Sequence, residues 1–321
     1  MKSLASISLD LDNQWSYMKT HGDSGWESFP SYLDLVVPRV LRLFEARGEK
    51  LTFFIVGQDA ALDKNHDALA QIAAAGHEIG NHSFHHEPWL DQRSQQEVSD
   101  ELVQAEEAIE RATGVRPDAF RGPGYALSRG ILEVLTERGY RYDASTFPTY
   151  LGPLARAFYF FTARLNDEQK EDRKRLFGSM TDGLRPLKPY YWDLGARRIL
   201  EIPVTTMPAI KTPFHVSYLL YLSTFSAPAA RSYFRSALYA CKRAGVQPSL
   251  LLHPLDFLGG DDVRELRFFP AMGMSHMLKL ERLSQYLDDY YEAFDVVPMG
   301  QHAARLQAGP PLPQRPPQFS A

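Results

Sequence analysis

Short apolar runs that stop on glycine or on a polar residue alternate with longer amphipathic segments from Ser6 to Ala144, and this alternation sets the architecture. Ser6-Ile7-Ser8-Leu9 has the period-two pattern of a short strand, and residues 51–57 read as a buried strand ended by Gly57. Between them Leu35, Val36, Val40, Leu43 and Phe44 recur at helical spacing over 32–47, with Gly48 as the stop. The unit repeats. A helix over 67–75 precedes a strand over 77–80, a helix over 92–113 precedes a strand at Ala119-Phe120, and a helix over 129–138 precedes a strand over 140–144. Strands joined by crossover helices run parallel, so the chain predicts an α/β fold on a mostly parallel sheet.

The rhythm breaks between about 150 and 191, where Phe158, Tyr159, Phe160 and Phe161 adjoin a charged stretch at 167–175. This reads as an insertion or lid. A strand over 199–205 resumes the core, an aromatic-rich helical region covers 218–244, a strand over 248–252 delivers His253, and a helix over 274–291 closes the fold. The expectation is one domain over 1–306, with insertions or lids at about 150–191 and 208–244. Residues 307–321 are rich in proline and lack periodicity, which predicts a disordered tail.

With 35 basic against 39 acidic residues the net charge is −4, and no basic stripe suited to tracking phosphates stands out, so a nucleic-acid partner is not expected. Cys241 is the single cysteine, which excludes an internal disulfide and a thiolate-rich zinc site. A metal here takes nitrogen and oxygen ligands. The apolar start of the sequence meets Asp10 before a signal-peptide core can form, and no apolar run reaches the ~20 residues a membrane span needs; the reading is cytoplasmic. Residues 150–165 and 214–225 are aromatic and nearly uncharged. Packing under a lid explains them, and the alternative is a peripheral surface that meets a lipid-linked sugar at the inner leaflet.

Chemistry-bearing residues collect at the predicted strand ends. Asp10 and Asp12 share one face of a strand, where a cation beside one relieves their repulsion and leaves the other ionised as a base. A strand-end turn capped by the aspartates is the bland alternative. His82 and His86 lie four residues apart, a spacing that puts two imidazoles on one face of a helical turn, and Asp12 could complete a metal site with them. His85 competes with His86 at three residues from His82; His86 is preferred. Arg121 precedes a turn with two glycines and a proline, and His253 follows Leu252 at another strand exit.

At this point the chain resembles the polysaccharide deacetylase family, the metal-dependent amide hydrolases with a NodB-type domain, similar to carbohydrate esterase family 4. Ser8-Leu9-Asp10-Leu11-Asp12 is similar to the first family motif in its D-x-D form, and Thr52-Phe53-Phe54 to the family's T-F-F strand. The run from Gly76 to His86 resembles the second motif, H-[ST]-x-x-H with its lead-in; Phe120-Arg121-Gly122-Pro123-Gly124-Tyr125 resembles the third and Leu252-His253-Pro254 the last. The resemblance implies a distorted (β/α)7 TIM-like barrel with inserted helical segments. It implies Asp12, His82 and His86 as ligands of a divalent metal, usually zinc, Asp10 as general base and His253 as general acid. Arg121 would hold Asp10, and a backbone N–H near Tyr125 would stabilise the oxyanion.

The implied reaction is hydrolysis of an N-acyl amide, foremost N-acetyl, on a sugar, glycan or lipid-linked sugar. Deformylation and the hydrolysis of cyclic or linear amides are the alternatives within the fold, and a non-catalytic glycan-binding protein is a third. Two departures matter. Leu11 separates the aspartates and Asn13-Gln14-Trp15 follows them, and no clear motif supplies the carboxylate that orients the acid histidine, for which Asp143, Asp193 and Glu201 are the candidates.

Overall fold

Strand β1 (Leu4–Leu11) is buried almost throughout and carries the logic of the whole fold. Ala5, Ile7, Leu9 and Leu11 join the apolar layer beneath the helices, and Ser6, Ser8 and Asp10 alternate onto the opposite face. The computed structural model describes residues 2–152 and 180–319. Within them β1 pairs in parallel with β2 (Thr52–Ile55) on one edge and β8 (Ser249–Leu252) on the other. The ladder continues through β3 (Glu78–Asn81), β4 (Ala119–Phe120), β5 (Tyr142–Asp143) and β7 (Arg198–Glu201), all parallel. Past β7 the chain turns back toward β8, where the Thr205 N–H donates to the Ser249 carbonyl at 3.2 Å. Seven parallel strands thereby come round on themselves, as expected for a distorted (β/α)7 barrel.

Helices α1 (Gln14–His21), α2 (Leu33–Glu45), α3 (Gly57–Ala60), α4 (Asp63–Ala74), α5 (Gln95–Thr113) and α6 (Arg129–Glu137) connect the first five strands. Helix α2 buries Val36, Val37, Val40 and Phe44 against the sheet, and α5 starts on a capping box in which Ser94 and Glu97 satisfy each other's backbone donors. Gly80 is required by space rather than by conformation, since an added Cβ would stand 2.6 Å from the Phe54 ring.

Helices α7 (Val216–Ser223) and α8 (Ala227–Ala244) occupy the region expected as an insertion at 208–244. They are the crossover between β7 and β8, and α8 sends Phe234, Ala237, Leu238 and Cys241 into the main core. The aromatic and charged segments read at 158–161 and 167–175 lie outside the described residues. Next to them, β6 (Tyr190–Asp193) forms an antiparallel hairpin with β7, which the helix-strand rhythm did not predict.

The helix α9 (His276–Ala293) does not close the fold. Strand β9 (Asp295–Pro298) pairs with the start of β1, and helix α10 (Met299–Gln307) plugs the end of the barrel where the strands begin. There the Met299 N–H donates to Thr52 Oγ1 at 2.7 Å, and His302 Nδ1 lies 3.0 Å from Ser6 Oγ. The tail expected to be disordered also departs from expectation: β10 (Gln314–Arg315) adds in parallel to β6, and Phe319 packs 5.6 Å from the Trp192 ring. Proline tolerates this edge position because the pairing there uses its carbonyl, Pro313 O accepting from Tyr191 N–H at 2.8 Å.

Candidate active site

The exits of β1 and β3 bring Asp12, His82 and His86 to one buried point. His86 Nε2 lies 2.9 Å and His82 Nε2 3.3 Å from Asp12 Oδ1, and one ligand atom from each residue falls within 4.8 Å of the others. The expected helical turn is absent. Ser83 and His86 adopt left-handed backbone, φ +62° and +51°, so a loop rather than a helix meets the four-residue spacing. That loop is pinned: Asn81 Oδ1 accepts from Ser83 N–H at 2.8 Å, and the Ser83 carbonyl accepts from Gly57 N–H at 2.8 Å. Glu101 of α5 takes His85 out of contention, accepting from its backbone N–H and sitting 2.6 Å from its Nδ1.

These residues fit a divalent cation. His82 Nδ1 lies 2.6 Å from the Arg121 carbonyl, which can only accept, so the lone pair sits on Nε2 and faces Asp12. Asp12 Oδ1 is buried without a hydrogen bond of good geometry, as is His86 Nδ1. Burial would raise the Asp12 pKa, yet the imidazoles of His86 and His82 hold it well below the usual carboxylate range. Burial works against the charged form of His82, but Asp10 and Asp12 raise its pKa. Asn13, the departure after the motif, locks the loop that carries Asp12: its Oδ1 accepts from Gln14 and Tyr32 N–H, and its Nδ2 donates to Asp59 at 2.7 Å. The Tyr32 hydroxyl donates to the Asp12 carbonyl at 2.7 Å.

Asp10 lies beside this point on the same strand face. Arg121, fully buried, donates to Asp10 Oδ1 at 2.6 Å and to Ser8 Oγ at 2.8 Å through Nη1, and to the Ala144 carbonyl at 3.0 Å through Nε. Its guanidinium stacks 4.4 Å from the Phe54 ring centre, with Met299 Sδ 3.4 Å from Nη2. Every side of this cation is occupied, so it has one position, and Asp10 inherits it.

The Arg121–Tyr125 turn is tight. Gly124 sits at φ +57°, and a Cβ there would meet Pro88 at 2.8 Å, so only glycine fits. Tyr125 N–H donates to the Gly122 carbonyl at 2.9 Å, which commits the backbone donor expected for the oxyanion to closing the turn. The Tyr125 ring instead stacks on Phe147 at 4.6 Å, and burial together with the nearby charge of Asp10 raises its pKa.

His253 follows β8 in extended backbone. Because Leu9 pairs with Leu252, the next residues in register are Asp10 and His253. None of the three proposed carboxylates reaches it. Phe120, Asp143 and Glu201 are registered neighbours and share a sheet face opposite to that of Arg121, so Asp143 and Glu201 point away from the site. Asp193 closes the β6–β7 turn by accepting from Gly195 N–H. The group that does touch His253 is Ser217 of α7, whose Oγ lies 3.0 Å from Nδ1. Asp256, buried, accepts from His253 N–H at 2.8 Å, and burial raises its pKa while His253 and the Ser217 hydroxyl lower it. His215 stands 5.9 Å away ring to ring, its pKa pushed down to about 3 by burial and by His253. Tyr17 of α1 feels, after burial, the charges of both Asp12 and Asp256, which ties the two halves of the site together. None of Ser217, Asp256, His215 or Tyr17 was predicted. Asp256 alone had a signal, lying three residues past His253 on the short turn that follows it.

Asp143 and Glu201 form a buried pair of their own. Glu201 accepts from Trp192 Nε1 at 2.9 Å and Thr146 N–H at 3.0 Å, and Asp143 from the Ser145 hydroxyl at 2.6 Å. Burial and the neighbouring Asp143 carboxyl raise Glu201 well above the glutamate range. The folded state thus holds a proton that the unfolded chain releases, and its stability is full at acid pH and lost as pH rises above the unfolded glutamate pKa. Raising pH from about 5 to about 9 should lower the unfolding midpoint of the parent protein, and Glu201→Gln should flatten that slope. Parallel slopes in urea titrations would contradict the shared proton.

The comparisons with known proteins bear on this geometry. A family model described as polysaccharide deacetylase matches residues 23–142, a span that includes His82, His86, Arg121 and Tyr125. That stretch of the chain is thus similar to the polysaccharide deacetylase family. It is 28% identical over 149 residues to a peptidoglycan deacetylase of Helicobacter pylori, covering 44% of this chain and 49% of that protein. It is 30% identical over 103 residues to a peptidoglycan-N-acetylglucosamine deacetylase of Bacillus cereus, covering 32% and 36% respectively. The chain thus spans half or less of the length of those proteins. Two solved structures share its fold: one titled a putative polysaccharide deacetylase from Mycobacterium smegmatis, at TM-score 0.64, 21% identity and coverage of 99% and 96%, and Puue allantoinase, at TM-score 0.56, 17% identity and coverage of 96% and 91%.

Proposed function

We propose that this protein hydrolyses an N-acyl amide, foremost an N-acetyl group, on a sugar or glycan, using a divalent cation held by Asp12, His82 and His86. The observation that carries the reading is the convergence of those three ligand atoms next to an arginine-clamped second aspartate. A cation bound there, zinc first among the candidates, would polarise the acyl carbonyl and acidify a water. Asp10, fixed by Arg121, takes the proton of that water as general base. His253, in register beside it, delivers a proton to the departing nitrogen. The products are an amine and a short carboxylate, and atoms balance with one water consumed. With Tyr125 N–H closing the turn, Gly122 N–H donated to Ser145 Oγ at 2.8 Å and no N–H on Pro123, oxyanion stabilisation would fall chiefly to a bound cation.

Ser217 and Asp256 take the orienting role that the sequence left unassigned. Asp256 fixes the backbone of His253, and the Ser217 hydroxyl fixes its Nδ1, so that Nε2 is left for the leaving group. Ser217→Ala is expected to lower kcat by about tenfold with metal content intact, and Ser217→Thr to restore most of it. Asp10→Asn should retain metal while slowing turnover by about 10²- to 10⁴-fold, and a near-normal rate would remove Asp10 from the base role.

The deciding experiment is release of acetate from a panel of N-acetylated glycans and lipid-linked sugars, with and without a chelator. Chelator-sensitive acetate supports the reading. Formate or a ring-opened amide as the product would move the chain to the alternative hydrolases of this fold, and binding without turnover to a glycan-recognition role. We also propose a cytoplasmic location, with which the single, buried Cys241 is compatible, and fractionation of producing cells checks it.

A further inference from the structure

Charge is segregated along this chain in a way the amide chemistry does not use. Between Glu201 and Asp256 there are five basic residues, Lys211, Arg231, Arg235, Lys242 and Arg243, and no acidic one, although the whole chain is net negative. Two of these basic groups, Arg231 and Arg235, line one surface groove of about 700 Å³ between α8 and α9, where Arg282 of α9 joins them with Pro228, Tyr239 and Gln285. Asp289 beneath the groove pairs with Arg231 at 2.7 and 2.9 Å and lies 3.8 Å from Arg235, and Glu281 is 3.6 Å from Arg282. The Arg235 side chain is nonetheless 64% exposed.

Large apolar side chains surround this cationic strip without a core to enter. Phe225 is 74% exposed, Met277 67% and Tyr239 65%, with Tyr221 and Leu278 also open to solvent. They are neighbours: the Tyr221 and Phe225 rings lie 5.3 Å apart at the end of α7, and Ser223 Oγ of α7 is 3.9 Å from Met274 Sδ, three residues before Met277. Leu278 and Arg282 share a face of α9 at a spacing of four, as do Arg231 and Arg235 of α8. Aromatic and aliphatic tips beside arginine heads match the two layers of a bilayer surface, acyl boundary and anionic headgroup.

We propose that the α7–α8–α9 face docks on a bilayer containing anionic lipid, with Phe225 and Met277 entering the acyl boundary and Arg235 and Arg282 meeting headgroup phosphates. The geometry connects this surface to the site: α7 starts just after His215 and carries Ser217 beside His253, and after about 12 Å of helix for its eight residues the chain reaches Phe225, two residues past its end. Docking would hold the catalytic opening close above the membrane. The inference goes beyond the amide-hydrolase reading and stands without it.

Flotation of the full chain on sucrose gradients tests it, using vesicles of phosphatidylcholine alone and vesicles of phosphatidylcholine with equimolar phosphatidylglycerol. The parent protein should float with the anionic vesicles and stay behind with the neutral ones. Phe225→Asp and the double variant Arg235→Glu/Arg282→Glu should each reduce partitioning by at least about tenfold, and high salt should release the parent. Phe225 and Arg235 are exposed and Arg282 is partly so, and all three lie away from the site, so thermal midpoints and hydrolysis of a soluble N-acetylated chito-oligosaccharide should match the parent. A parent protein that does not float with anionic vesicles overturns the proposal, as do variants that float like the parent. Flotation without acetate release would leave the docking surface standing and remove the deacetylase reading.

Discussion

Replacement of His82 by Ala is expected to strip the metal and with it the activity, while the barrel stays folded. In the proposed site His82 is one of three protein ligands, and the other two cannot compensate: His86 is held by a left-handed loop, and Asp12 by the Asn13 and Tyr32 contacts of its own loop. Loss of an outer partner of a metal ligand already costs about 10- to 100-fold, so loss of a ligand should exceed the upper end of that range. His85 offers no rescue, because Glu101 holds its ring away from the site. Metal analysis of the dialysed variant, next to acetate release, is the measurement. Full occupancy in His82→Ala would mean the cation is bound elsewhere or not by this triad. Unchanged far-ultraviolet circular dichroism would show that the loss is local.

The largest effect on stability is expected at Arg121. Its guanidinium is out of contact with water, and Arg121→Met would leave the Asp10 carboxylate buried beside it without a counter-charge, along with an unpaired Ser8 hydroxyl and Ala144 carbonyl. Breaking a buried pair in this manner costs about 3–5 kcal/mol, a large share of the stability of most domains. Combining Arg121→Met with Asp10→Asn should recover part of it, since the double variant removes the stranded charge. Urea denaturation of the parent, both single variants and the double variant supplies the cycle. Additive losses would mean that Asp10 does not depend on Arg121 for its place.

What the sequence disclosed followed from how local its signals are. The barrel was legible because period-two strands and 3.6-period helices alternate, and glycines such as Gly48 and Gly114 punctuate them. Asp10, Asp12, His82, Arg121 and His253 were legible because parallel strands deliver their ends to one rim, so residues far apart in order need only sit at strand exits. The conformation of 82–86 was not, because spacing cannot separate a helical turn from a loop with two left-handed residues. Ser217 escaped notice since its partner His253 lies 36 residues away on another element, and nothing at 217 marks it locally. The choice among Asp143, Asp193 and Glu201 failed for a different reason: one residue of alternation on β5 and β7 decides which face a carboxylate occupies, and the position of those short strands was known only to within that residue. The hairpin of β6 and β7 was missed because it reverses direction in the midst of a parallel pattern.

The plug at the base of the barrel bears on the order of events as the polypeptide is made. Asp10 emerges early, but the methionine that packs against the clamping guanidinium and the histidine that meets Ser6 belong to α10. A nascent chain can therefore assemble its ladder of strands and still leave the floor under its reactive layer open to water. The packing around Arg121 is complete only once Met299 and His302 of α10 have been made.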